Sequence, residues 1–231
     1  MSQNAKLAAA ISMLLCFAGT ASAQFDKGSS EAGLVVGGAI PTTKSDLTDL
    51  GGKNETAVKT GVAVGGRYLY HTSPEWAFGG EASYAAFGDK KHDIGGIIEI
   101  TESAAALDVQ GIAKYTFAAD KKSRPYLIGG VGYGSVKQKN TTKPINGTSW
   151  ADTLTTESRT NYDETIGALA VSLGAGFEHF FNDTTILTIE GRWKHFGTNK
   201  NITDDTLGIT WDINSTNAVL ITAGLSWKFG K

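Results

Sequence analysis

Hydrophobic and polar side chains alternate with a period of two along most of the sequence beyond about residue 30. Between residues 60 and 70, for example, valines and tyrosines at even positions oppose glycine, alanine and arginine at odd positions. This alternation is typical of β-strands with one apolar face, and the 3.6-residue period of amphipathic helices is hard to find. The pattern predicts eight strands, at about 33–40, 60–70, 76–87, 105–117, 125–136, 168–180, 185–196 and 218–229. In two of them, 33–40 and 125–136, glycine is so frequent that the pattern leaves open which side chains face inward.

The segments between these strands alternate in length. Long polar stretches cover about residues 42–56, 88–102, 137–162 and 197–216, and the other three connections are short. In an antiparallel sheet this order puts both chain ends and the short connections at one end, here called the short-turn end. The long stretches lie at the opposite, long-loop end, and further hairpins above the membrane are left open there, notably around residues 95–103. We therefore predict an all-β fold, an eight-stranded antiparallel up-and-down transmembrane β-barrel.

Soluble barrels and sandwiches also show a two-residue alternation, so the alternation alone does not identify a membrane barrel. The composition of the two strand faces distinguishes the two classes. One face is aliphatic and aromatic, whereas the other carries mainly Gly, Ala and Ser with sparse charges, which suits a narrow interior. Aromatic residues also gather at two levels, as expected at two lipid headgroup layers. The level near the short turns contains Tyr68, Tyr70, Trp76, Phe78, Tyr115, Phe117, Phe177, Trp227 and Phe229, and the level toward the long loops contains Tyr84, Trp193 and Phe196.

The N-terminal segment has the features of a cleaved signal peptide. A short polar start with Lys6 is followed by an apolar run from Leu7, and Ala21 and Ala23 form a small-x-small cleavage pattern. A transmembrane anchor is the alternative, but the run is shorter than the roughly 20 apolar residues that span a bilayer. We predict that residues 1–23 are a signal peptide removed after Ala23 and that residues 24–231 form the barrel domain.

Charge and cysteine content exclude several function classes. The formal net charge is −2, which provides no basic field for binding nucleic acid. Cys16 is the only cysteine, so the predicted mature chain has no disulfide. The four histidines are too scattered in sequence to nominate a metal site. We therefore predict no cofactor, no metal and no nucleic-acid partner.

The inward face of the predicted strands carries charges of both signs, five positive and four negative. Enclosed charges are costly unless they are paired, and an eight-stranded barrel is only about wide enough for its own side chains. We therefore predict a charge network that plugs the lumen, with a narrow channel for small solutes as the alternative. The predicted network consists of Arg67, Glu81, Asp108, Lys114, Glu178, Glu190, Arg192, Lys194 and Lys228.

Lipid modification by a barrel enzyme is a rival function. A deacylase-type pattern requires a Ser two residues after a strand His, and neither His179 nor His195 has one. His71 is expected at a turn, and His92 lies in a charged stretch where solvation is the ordinary role. We therefore predict that the protein is not an enzyme.

Several motifs resemble the small opacity-type and OmpA-like outer-membrane barrel superfamily. They are the segments at 125–134 and 188–197, in which Glu190, Arg192 and Trp193 form an acidic-x-Arg-aromatic run. The resemblance implies a Gram-negative outer-membrane location and a structural or surface-interaction role through four long loops. It also implies outer-membrane lipid and lipopolysaccharide as surroundings and a host or surface ligand as a loop partner. A periplasmic peptidoglycan-binding domain is not expected.

The last strand resembles the C-terminal assembly signal of such barrels. The matching positions are Thr222, Gly224, Trp227 and Phe229. The resemblance implies recognition of this strand by the barrel-assembly machinery. Members of the superfamily usually end on the aromatic residue, whereas here Gly230 and Lys231 follow Phe229.

Overall fold

The structure is a computed structural model that describes residues 24–43, 58–94, 98–144, 162–198, 200–204, 209–213 and 215–230. The predicted signal peptide, with Ala21 and Ala23, lies outside these residues, as do large parts of the predicted long loops. The described residues contain no helix that is long and apolar enough to cross a membrane.

The described residues form eleven strands: β1 (Ser30–Pro41), β2 (Lys59–His71), β3 (Trp76–Gly88), β4 (Lys90–Ile94), β5 (Ile98–Thr116), β6 (Ser123–Pro144), β7 (Tyr162–Phe180), β8 (Thr185–Gly197), β9 (Lys200–Asp204), β10 (Ile209–Ile213) and β11 (Thr216–Phe229). Eight of them form a wall in the order β3-β2-β1-β11-β8-β7-β6-β5, and β3 pairs with β5 to close it. All these pairings are antiparallel. Closure leaves no open sheet edge over the shared height of the wall, as a membrane requires. The predicted eight-stranded barrel is confirmed.

Three short strands lie beyond the wall at the long-loop end. β4 pairs with the first residues of β5, and β9 pairs with β10 in a separate two-stranded sheet. β5, β6 and β7 are 19, 22 and 19 residues long, whereas a tilted strand crosses the hydrocarbon layer with roughly 9–11 residues. Parts of the stretches predicted as loops at 88–102, 137–162 and 197–216 are therefore strand. The further hairpin left open around residues 95–103 corresponds to the pairing of β4 with β5, whereas the continuation of β6 to Pro144 was not predicted.

The side-chain facing follows the predicted alternation. In β2, Val62 is 62% exposed while the next residue, Ala63, is 2% exposed. The glycine-rich strands, whose facing was open, expose Leu34 in β1 and Tyr133 in β6. An apolar surface this extensive is unsuited to water and matches the lipid-facing band of a membrane barrel.

Phe196 was predicted at the outer aromatic level, but it points into the barrel and is 2% exposed. It lies an odd number of positions from Trp193, which faces outward, so the two rings occupy opposite faces. Phe196 packs in an apolar cluster with Ala106, Val136, Ala168 and Ala170. A second apolar cluster contains Phe87 and Leu220. Two apolar clusters therefore occupy the interior toward the long-loop end.

Candidate functional site

The rest of the barrel interior contains buried side chains of both charges, here called the charged lumen. Each member is at most 5% exposed. Five members are cationic and five are anionic, so the set is neutral when all are ionised. They are Arg67, Lys114, Arg124, Arg192 and Lys194 and Glu31, Glu81, Asp108, Glu178 and Glu190.

The part nearest the short-turn end is centred on Lys114 of β5. Its Nζ donates to Glu31 Oε2 at 2.7 Å and to Glu178 Oε2 at 2.8 Å. Arg124 lies directly opposite Glu178 in the β6–β7 register. Its Nε donates to Glu178 Oε1 at 2.5 Å and its Nη1 donates to the carbonyl of Ala119 at 2.8 Å. Two cations and two carboxylates, each from a different strand, thus form one hydrogen-bonded cluster.

The middle part joins strands on opposite sides of the barrel. Arg67 Nη1 donates to Glu190 Oε2 at 2.9 Å, and Tyr126 Oη donates to the same oxygen at 2.8 Å. Arg192 bridges both acidic groups, with Nη1 2.7 Å from Glu81 Oε1 and Nη2 2.7 Å from Glu190 Oε1. Arg67 Nε lies 3.4 Å from Glu81 Oε2. Each carboxylate therefore contacts two guanidinium groups.

Toward the long-loop end, Lys194 binds the carboxylate of Asp108. The Nζ of Lys194 lies 2.9 Å and 3.0 Å from the two oxygens of Asp108, and it donates to Ser83 Oγ at 2.6 Å. Ser83 in turn donates to Asp108 Oδ2 at 2.8 Å. A contact of 3.4 Å between Lys194 and Glu81 links this part to the middle. A continuous series of ion pairs therefore joins Asp108 to Glu190.

Inward glycines create the space for these side chains. A Cβ on Gly130 would lie 2.5 Å from Gln110 Oε1 and 3.0 Å from Ser172 Oγ, and these two side chains hydrogen-bond at 2.6 Å. A Cβ on Gly176 would overlap the ring of Tyr126. The abundance of glycine in the sequence thus has a packing reason at these positions.

A family model described as an outer membrane protein beta-barrel domain matches residues 9–229, nearly the whole chain. The chain belongs to this family. The structure is similar to Neisserial surface protein A, with a TM-score of 0.51, 12% identity and coverage of 87% of this chain and 96% of that chain. It is also similar to OprG from Pseudomonas aeruginosa, with a TM-score of 0.50, 15% identity and coverage of 91% and 100%. A comparison with curated protein sequences gives no match.

Family membership and closure of the wall identify an outer-membrane β-barrel. Its location is the outer membrane of a Gram-negative bacterium. In such barrels short turns face the periplasm and longer segments face outward, so the short-turn end is the periplasmic end.

The structure brings together eight of the nine residues named from sequence for the lumen network. The ninth, Lys228, lies apart at the periplasmic rim, where Nζ contacts the carbonyl of Gln24 at 2.5 Å and Asp26 Oδ2 at 3.1 Å. Sequence reasoning missed Glu31 and Arg124. Arg124 directly precedes the segment whose facing was open, and Glu31 precedes the first predicted strand. Extending each of these two predicted strands by two residues toward the N-terminus would have included Glu31 and Arg124.

In the outer-membrane barrel, the residues of the predicted assembly signal divide between two faces of β11. Thr222 is buried and Gly224 also faces inward, where a Cβ would overlap the backbone oxygen of Leu34. Trp227 and Phe229 face lipid and are 41% and 53% exposed. Recognition by the assembly machinery stays a prediction.

The four histidines occupy four separate places. His71 ends β2 inside the barrel, 3.6 Å from Glu31 Oε2, rather than in a turn. His92 pairs with Glu102 at 2.9 Å between Nε2 and Oε2, within the β4–β5 hairpin. His179 Nδ1 lies 2.6 Å from Ser123 Oγ, and His195 Nδ1 lies 2.8 Å from Asn217 Oδ1. Among the described residues, no three side chains of His, Cys, Asp or Glu converge as a metal site.

Proposed function

We propose that this outer-membrane barrel is sealed, does not conduct solutes and has no enzymatic activity. Its role is to anchor the long-loop side at the cell surface and to present it to a host or surface ligand. The observation that carries this proposal is the charged lumen, whose ten members are at most 5% exposed. Outer-membrane phospholipid and lipopolysaccharide surround the wall, and the assembly machinery acts during biogenesis.

The physical argument concerns the path that a solute would take. An ion in the lumen would have to separate pairs such as Lys114–Glu178 or Arg67–Glu190, whose N–O distances are 2.8 and 2.9 Å. Separating a buried pair leaves charges uncompensated in a low dielectric, at a cost of about 3–5 kcal/mol per pair. Beyond the charges, two buried apolar clusters, one including Phe196 and one including Phe87, occupy the interior. Both parts oppose the narrow-channel alternative.

The surface role is supported by the strands that continue past the membrane. β5, β6 and β7 exceed the roughly 9–11 residues that crossing requires by several residues each. Their extensions remain paired, for example Glu99 with Lys143 and Lys139 with Asp163. A rigid scaffold that holds surface loops is where binding usually resides.

Planar-bilayer conductance of the purified full-length protein tests the sealed lumen. We expect no stepwise ohmic current from the wild type. The double variant Arg67→Ala/Glu190→Ala removes one pair across the lumen and is expected to admit ions. The matched control Lys91→Ala/Glu99→Ala removes a pair of similar N–O distance, 2.8 Å, on the exposed β4–β5 hairpin and is expected to remain silent. Steady ohmic openings of the wild type that persist unchanged in variants with Lys114 or Glu178 neutralised would overturn the proposal.

A separate measurement tests the absence of lipid-modifying activity. Lipid A is analysed by mass spectrometry from cells that express the protein and from cells that do not. We expect identical spectra. A mass change that is lost with His195→Ala or His179→Ala would assign catalysis to that histidine and refute this part of the proposal.

A further inference from the structure

The six residues before β1, 24–29, fold back beneath the periplasmic end of the barrel and insert one aromatic ring into it. This segment is called the N-terminal strap. Phe25 is 0% exposed although it lies outside every strand. Its ring stacks on His71 with a centroid distance of 3.6 Å and an interplanar angle of 16°. It meets Phe180 edge to face at 5.3 Å, and Ile186 completes the cluster.

The ring of Phe25 also covers two cations of the charged lumen. The Cζ of Arg124 lies 4.9 Å from the ring centroid, and Lys114 Nζ lies 5.2 Å from it. Both distances are within the range in which a cation is attracted to an aromatic face. Phe25 therefore contacts the cations that hold Glu178, so the strap completes the first cluster of the lumen.

Backbone and side-chain bonds fix the strap at both of its ends. Near β1, the amide of Gly28 donates to the carbonyl of His71 at 2.8 Å, and the amide of His71 donates to the carbonyl of Ser29 at 2.9 Å. At the other end, Lys228 binds Gln24 and Asp26 through the contacts described above. Gly28 has a φ of 92°, a left-handed conformation that glycine adopts without strain, and it turns the chain back toward the barrel.

We propose that the N-terminal strap is a periplasmic plug that seals the short-turn end and excludes water and periplasmic solutes from the charged lumen. Phe25 is the sealing residue, Gly28 is the bend and Lys228 is the latch. The latch contacts are at the rim, where Lys228 has a 13% exposed side chain and Asp26 a 59% exposed one. Lys228, which lies outside the charged lumen, thus has the separate role of holding the strap at the rim.

Thiol accessibility tests the plug independently of conductance. Ile186, which is 0% exposed and packs in the same cluster as Phe25, is replaced by Cys in a full-length chain that also carries Cys16→Ala. The new thiol is then the only one in the chain. A water-soluble maleimide is applied to the purified barrel, and the labelling rate is measured by mass spectrometry. With Phe25 in place we expect slow labelling.

Removing the ring is expected to expose the probe. Phe25→Ala should raise the labelling rate of Ile186→Cys roughly 10- to 100-fold, the ratio that corresponds to the burial of one phenyl ring. Lys228→Met, which leaves the ring but removes the latch, should raise it by a smaller factor. The matched control Lys27→Ala changes a strap residue that is exposed and should leave the rate unchanged.

Heat-modifiable migration on a gel verifies that each variant retains the barrel. If the probe is labelled as fast with Phe25 present as with Phe25→Ala, the strap does not seal the barrel and the proposal is wrong. The same conclusion follows if Lys27→Ala accelerates labelling as much as Lys228→Met does. Fast labelling with Phe25 in place, in a barrel that carries no current, would refute the plug and leave the sealed lumen intact, so failure of the plug is distinguishable from failure of the proposed function.

Discussion

Replacing Lys114 by Met tests whether the buried carboxylates of the charged lumen depend on their cationic partners. Lys114 is 1% exposed, and its Nζ is shared between Glu31 and Glu178 at 2.7 and 2.8 Å. Methionine has a similar length but no charge, so among the described residues the variant leaves Glu31 with His71, at 3.6 Å, as its one remaining ion-pair partner. Removing one partner of a buried pair costs about 3–5 kcal/mol because the other charge remains buried. We expect a loss of this size in the free energy of unfolding.

A double-mutant cycle separates the interaction energy of the Lys114–Glu31 pair from the contribution that the lysine side chain makes through packing. Removing both partners of a buried pair costs less than leaving one unpaired. The double variant Lys114→Met/Glu31→Gln should therefore be more stable than the sum of the single changes predicts, by about 1–3 kcal/mol. The measurement is urea unfolding of the refolded barrel in lipid vesicles, followed by tryptophan fluorescence and by heat-modifiable migration.

The exposed pair Lys91–Glu99 is the control for this cycle. Its N–O distance is 2.8 Å, but its side chains are 64% and 31% exposed. Exposed pairs contribute about 0–1 kcal/mol, so Lys91→Met should change stability little. If Lys114→Met costs no more than Lys91→Met, or if the cycle shows no coupling, water must reach the lumen pairs and the reasoning fails.

Two further predictions concern packing and assembly. Gly134→Ala should destabilise the barrel by about 1–3 kcal/mol, because its Cβ would lie 2.7 Å from the backbone oxygen of Leu107 and 2.9 Å from Phe196 Cε1; Gly191→Ala, whose Cβ meets nothing within 4 Å, is the control in the same urea assay. Phe229→Ser should lower the amount of heat-modifiable barrel in the outer-membrane fraction, whereas deletion of residues 230–231 should leave it unchanged or raise it; the opposite ranking would contradict the assembly-signal interpretation.

The fold was predictable because each wall strand presents two chemically different faces. Where one face contacts lipid and the other a crowded interior, the sequence alternates strictly, and this alternation located all eight wall strands. Their ends near the short turns were predicted to within about three residues, whereas β5, β6 and β7 continue six to eight residues further at the long-loop end. Where both faces are polar, no alternation of hydrophobicity remains. In β6, the residues from Lys137 to Pro144 are almost all polar, yet their backbone pairs with β5. Hydrophobic periodicity cannot detect such a strand.

The candidate site was predictable for the same reason and to the same extent. Inward charges within clearly alternating strands, such as Glu81 and Arg192, were identified from their neighbours. The N-terminal strap escaped because it has no period at all: Phe25 is an isolated aromatic residue in a polar segment. Its burial depends on a bend at Gly28 and on His71 from another strand, which are tertiary relations that a local pattern does not contain.

The charged lumen also explains how this barrel specifies its strand register. A slip of one residue would exchange the two faces of a strand. In β8 that slip would move Glu190, Arg192 and Lys194 onto the lipid face and place Trp193 in the lumen. A lysine or arginine in mid-membrane on the lipid face costs roughly 2–4 kcal/mol, and each partner left inside would lose its counterion. Buried pairs add little stability compared with apolar packing. Their effect here is to make a register shifted by one residue much less stable than the native one, which an interior of aliphatic residues would not do because both faces would then tolerate lipid.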